Sequence, residues 1–194
     1  MGCYYTAQMS LLEFCRWLAE TPWSIALHES LYMYSIVESV HVLTLTLFVG
    51  LAAMLDLRLL GLTMRRVPVN EAVERLMPWM KFGFIVMVIT GLLLFYAIPV
   101  RTFQSVWFRA KLVFLLLAGV NVLVFHSGIY RSVAQWAKEA IPPKRARMAA
   151  IFSLLLWAGI VIAGRMIAYN WFDCDIQPQS AIVNWWAGCV ANSD

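Results

Sequence analysis

Residues 31–62, LYMYSIVESVHVLTLTLFVGLAAMLDLRLLGL, form an apolar run that carries Glu38, His41 and Asp56. It exceeds the roughly 20 helical residues that cross a hydrocarbon core about 30 Å thick. An ionisable side chain at the centre of such a helix costs on the order of 3 kcal/mol even on the mildest insertion scale. Three of them in one span predict a helix with one face turned into a bundle, toward a partner, a cofactor or water.

Three further apolar blocks of spanning length follow, at 79–98, 107–129 and 148–169. The composition agrees: 62% of the 194 residues are hydrophobic and 13% are charged, where soluble domains run near about 45–50% and about 25%. This excludes an ordinary soluble domain. The net charge of +4 lies mostly in the connections between the apolar blocks, where a topology signal belongs, so nucleic acid is not an expected partner. The first 24 residues hold Glu13, Arg16 and Glu20 where a leader would be apolar, so no cleaved signal peptide is expected. The expected fold is all-α: an integral membrane four-helix bundle with a short N-terminal interfacial helix.

Along the chain, residues 10–18 place Leu11, Leu12, Phe14, Cys15, Trp17 and Leu18 opposite Glu13 and Arg16, the pattern of a helix lying in the membrane interface. Thr21 and Pro22 end it and restart the chain. The first span runs over about 31–55. A connection at 63–77 holds Pro68, and Pro78 is expected to open the second span, which Pro99 closes. Residues 100–105 read as a tight connection, and the third span carries Arg109 and Lys111 in its first turn and His126 near its end. A polar loop over 130–147 precedes the fourth span, with Arg165 in its last turns. The organisation is thus an N-terminal segment 1–30, a transmembrane domain 31–170 and a tail 171–194.

Four spans put both termini on one side. The first connection offers Arg58, Arg65, Arg66, Arg75 and Lys81, and the third Arg131, Lys138, Lys144, Arg145 and Arg147. The N-terminal stretch has only Arg16, and the tail beyond Arg165 has no Lys or Arg. The positive-inside rule places both connections in the cytoplasm and both termini outside, which for a bacterial inner membrane is the periplasm. Cys3, Cys15, Cys174 and Cys189 all fall in the outside segments, where disulfides persist. Cys174 with Cys189 could close a tail loop, although connectivity is not readable from sequence.

At about 1.5 Å per residue, Glu38 and His41 lie about 10–15 Å below the outer edge, and Lys111 and Arg165 lie at a similar or shallower level. Glu38, His41 and Thr44 recur at helical spacing and share a face. Asp56, Lys81, Asn121 and His126 make a second polar group at the inner edge. Two intramembrane histidines in a helical bundle point to haem b, with His41 and His126 as metal ligands and Lys111 and Arg165 on the propionates. Glu38 would then orient the imidazole or relay a proton. The two histidines differ in depth by roughly 15–20 Å, so one haem held between them needs strong tilt. Otherwise each histidine holds its own haem with a methionine such as Met166 or Met80, or only the outer group acts, on a quinol head group. The plain alternative is structural: Glu38 paired with Arg165, and His126 bonding a loop carbonyl. No nucleophile elbow, phosphate loop, HExxH or CxxC occurs, so nothing points to hydrolase or nucleotide chemistry.

The strings ESLYMYSIVESVHVLTLTLFVGLAAMLDLRLLGL, WFRAKLVFLLLAGVNVLVFH and LLLWAGIVIAGRMIAY resemble a family of small bacterial four-helix inner-membrane proteins without an assigned function. The resemblance matches E-x-x-H to Glu38 and His41, D-L-R-L-L-G to residues 56–61, the histidine closing the third helix to His126, and G-R to Gly164 and Arg165. It implies the fold and is silent on chemistry. The expectation is a b-type cytochrome-like subunit working between the quinone pool and a periplasmic redox protein. The alternative is a non-catalytic anchor or assembly subunit bound to other membrane subunits. A proton-coupled carrier fits less well, with four spans and no internal repeat.

Overall fold

A computed structural model describes residues 2–130, 133–137, 139, 141–169, 174 and 178–189. Among them there is no strand, and the order is α1 (Gly2–Ala19), α2 (Pro22–Glu29), α3 (Met33–Leu59), α4 (Val69–Ala97), α5 (Pro99–Phe103), α6 (Val106–Val124), α7 (Val133–Trp136), α8 (Lys144–Ile167) and α9 (Ala181–Ala187). A π-turn, Phe125–Ile129, continues α6. Four helices are long and apolar enough to cross a membrane: α3, α4, α6 with its continuation to Gly128, and α8. The chain therefore reads as a multi-pass membrane protein, and exposed Leu43, Leu92, Leu116, Leu123, Leu155 and Ile162 supply the apolar surface that lipid would cover.

Local chemistry sets the breaks. Gly61, at φ 74°, ends α3. Its amide bonds the carbonyl of Arg58 at 3.0 Å and that of Leu62 bonds Leu57 at 3.0 Å, the paired bonds of a left-handed helix cap. Thr21 separates α1 from α2. Its hydroxyl donates to Leu18 O at 2.7 Å, so the Tyr96 hydroxyl at 2.7 Å must be the donor to Thr21. Ser24 then donates to Tyr96 O at 2.7 Å, and the two bonds to Tyr96 latch the start of α2 to the end of α4.

The differences from the sequence reading lie at element ends. The N-terminal helix covers Gly2–Ala19 rather than 10–18, and α2 is a separate helix. Pro78 sits inside α4 instead of opening it. The turns before it are amphipathic, with Val69 and Ala72 buried and Glu74 and Arg75 exposed, and that packing outweighs the amide lost at proline. Residues expected as a tight connection form α5, against which α1 packs.

The contacts divide the chain into two compact units. One comprises Met1–Val40, Ile89–Leu112 and Ile162–Asp194. In it the tail is closed by a Cys174–Cys189 disulfide, as the sequence allowed. Arg109 donates to Trp186 O at 2.6 Å and Phe103 O at 3.2 Å, so it pins α9. The other unit comprises His41–Val88 and Val113–Val161. It holds one core of Leu59, Val69, Trp136, Ala146 and Ala150 and another of Ala118, Trp157 and Ile160, packed by Phe48 and Phe114.

Candidate functional site

His41 is half-buried on α3, and its Nδ1 lies 3.0 Å from the backbone oxygen of Met87 on α4. Gly83, one turn earlier on α4, faces the same stretch of α3, and a Cβ there would make no more than ordinary contact, 3.5 Å from both Thr44 O and Leu47 Cδ2. A carbonyl only accepts, so Nδ1 carries the hydrogen and the lone pair of the neutral ring is on Nε2. Thr44, buried beside it, donates back to His41 O at 3.2 Å. A neutral imidazole oriented this way can ligate a metal or accept a proton.

His126 is differently placed. It is exposed, in the π-turn that ends α6, and its ring stacks on Tyr130 at 5.7 Å and 15°. Counted from the helix starts at Met33 and Val106, His41 lies about 12 Å along α3 and His126 about 30 Å along α6.

The remaining predicted residues belong to the first unit. Glu38 is exposed. It and Arg101 are the charged neighbours of Tyr34, an association that the distance of Arg101 from Glu38 in sequence concealed. Lys111 is half-buried on α6. Its ammonium lies against the backbone of α8 at Gly164, where a Cβ would be 3.6 Å from Nζ. Next along α8, Arg165 lies over the Tyr169 ring at 5.2 Å and reaches its hydroxyl at 3.4 Å. Among the described residues neither cation pairs with Glu38, so the Glu38–Arg165 ion pair of the structural alternative does not form. Lys111 therefore meets α8 at Gly164, and Arg165, the next residue along that helix, is turned to Tyr169.

Sequence reasoning missed the role of Arg58. Counted there among the loop cations, it is 0% exposed. Its Nε donates to Val67 O at 2.8 Å, and Nη2 to Glu139 O at 3.2 Å and Ala137 O at 3.4 Å. One side chain thus ties the α3–α4 connection to the segment after α7. The available signal was its position: Arg58 lies between Asp56 and a further Leu59-Leu60, still inside the apolar run.

Among the described residues no group of three or more His, Cys, Asp or Glu could hold a metal ion. The model of a family of unknown function, DUF6644, matches residues 26–170. No curated protein and no solved structure matches the chain.

Proposed function

We propose, for a chain that belongs to this family of unknown function, a b-type cytochrome-like membrane subunit that passes electrons between the quinone pool and a periplasmic redox partner. The observation that supports it is the His41 ring, held by its Nδ1–H on the Met87 carbonyl. Ligating histidines characteristically give their second nitrogen to such a partner, which fixes the tautomer and raises the basicity of the other. Haem b, when bound, supplies one-electron transfer. His41 would hold the iron through Nε2, and Lys111 and Arg165 are the cations that the sequence offers for propionates. His126 would be the second ligand or would hold a second haem. Glu38, with Tyr34 and Arg101 near it, accepts or passes a proton of a quinol head group.

The location proposed is a bacterial inner membrane with both termini in the periplasm. Exposed Arg65, Arg66, Arg75, Lys81, Lys144, Arg145 and Arg147 support cytoplasmic connections, and the Cys174–Cys189 disulfide supports a tail in an oxidising compartment.

The test is haem stoichiometry by pyridine haemochrome in protein made with ample haem. His41→Ala loses the haem that the wild type holds. His126→Ala keeps it if His126 serves a separate site. Equal haem in His41→Ala and wild type overturns the assignment of His41.

One observation favours a second reading, a non-catalytic subunit of a larger membrane complex. Glu38 is exposed on α3 beside exposed Ser35 and Ser39, and polar groups inside spans usually face protein rather than lipid. In that reading the wild type binds no haem and co-purifies with a second membrane protein, and charge reversal at Glu38 releases the partner.

A further inference from the structure

Asp56 stands outside the roles given above. It lies in the last turn of α3 and is 7% exposed, and the Ser153 hydroxyl of α8 is its hydrogen-bonding neighbour. Its Oδ2 is buried without a partner, so Ser153 serves Oδ1. Arg58 is two residues further on and therefore on another face of the helix. It spends its guanidinium on the carbonyls of Val67, Ala137 and Glu139. The charged and titratable groups of the neighbouring elements are Glu71, Glu74, Arg75 and Lys81 on α4, His126 at the end of α6, and Lys144, Arg145 and Arg147 on α8. All of them reach the surface. Among the described residues none forms an ion pair with Asp56.

A carboxylate enclosed this far without a cation is strongly disfavoured, and the usual resolution is neutralisation. Of the two oxygens, Oδ2 is the one that faces no donor, which leaves Oδ1 for the Ser153 hydroxyl. We propose that Asp56 is a proton-binding site of this half of the molecule, with the proton on Oδ2 and Ser153 holding Oδ1. Loading takes one proton from solvent and converts carboxylate to carboxylic acid; no electron moves and no bond other than O–H forms. Asparagine presents the same shape without a titratable oxygen. The site gives the chain a place to store a proton within a span, next to the tie that Arg58 makes between two connections. It does not depend on the haem reading.

The experiment is infrared difference spectroscopy at neutral pH on the full chain in phosphatidylethanolamine–phosphatidylglycerol vesicles, wild type minus Asp56→Asn. A carbonyl stretch of a protonated carboxylic acid, moving to lower frequency in D2O, is the expected result. Absence of that band overturns the proposal. If Asp56→Asn does not fold, Ser153→Ala replaces it: the same band moves to higher frequency when the bond to Oδ1 is lost, and an unmoved band overturns the assignment. Melting is measured in sodium and in choline chloride at equal ionic strength. Equal melting is expected, and a wild-type melting temperature raised by sodium identifies a metal cation as the occupant and overturns the proton. Haem content, read separately, reports only on the histidine sites.

Discussion

Arg58 shows how far one residue can depart from what its type suggests. A guanidinium with no exposed surface is tolerable because its fork meets several carbonyls at once, although Nη1 remains without a partner. Replacing it by methionine leaves those buried oxygens bare, and bonds from a charged donor are worth about 1.5–3 kcal/mol each. Arg58→Met is therefore expected to lose about 3 kcal/mol or more in denaturant unfolding in detergent, and lysine, a point donor, does not restore it. A loss under about 1 kcal/mol would show that the tie is not structural. Cys15 illustrates the reverse case, a small side chain whose environment decides its chemistry. It is 3% exposed and unpaired, and burial raises its thiol above the usual 9.0. The folded state therefore holds the thiol proton more tightly than the unfolded chain. Its contribution to stability is fully present below the ordinary thiol value and is lost as pH rises through the higher folded one. Maleimide labelling of Cys15 in a Cys3→Ser background is expected to be slow at neutral pH and fast after denaturation; rapid labelling of the native protein would contradict the burial.

Among the elements, α6 and α8 show how small residues set helix approach in an apolar bundle, where lipid removes most of the hydrophobic drive and packing carries the association. A Cβ at Gly159 would sit 3.1–3.3 Å from the Phe114 ring, whereas Gly50 has nothing within 4 Å. Gly159→Val must push that ring into the Ala118–Trp157–Ile160 core and is expected to cost about 1–3 kcal/mol; Gly50→Ala is expected to be neutral or slightly stabilising. Equal melting of the two variants would contradict the packing described. The same scale explains what was legible beforehand. Four apolar stretches of spanning length announce four helices, and Thr21-Pro22 announces a break, because length and a missing amide act locally. Pro78 misled because its cost is local, whereas the burial of Val69 and Ala72 that outweighs it is tertiary. The π-turn at His126 likewise leaves no mark in a composition of apolar residues.

For the whole molecule, the predicted site residues were legible as a group and not as an arrangement. Burial distinguishes Glu38 at the surface from Thr44 within, although spacing puts them on one helix face. Tyr34, one turn before Glu38 on α3, is its neighbour by periodicity alone, whereas Arg101 joins from α5, whose packing no periodicity reveals. The Cys174–Cys189 bridge was readable as a possibility because both cysteines fall in one short tail. The proposed electron-carrying role rests on His41 and the orientation of its ring on the Met87 carbonyl. The direct measurement is the dithionite-reduced minus air-oxidised absorption spectrum of the purified wild-type protein, expressed with ample haem. A b-type α-band is the predicted result, with one haem per chain for a His41 site and two if His126 holds its own. A flat difference spectrum would contradict the cytochrome account.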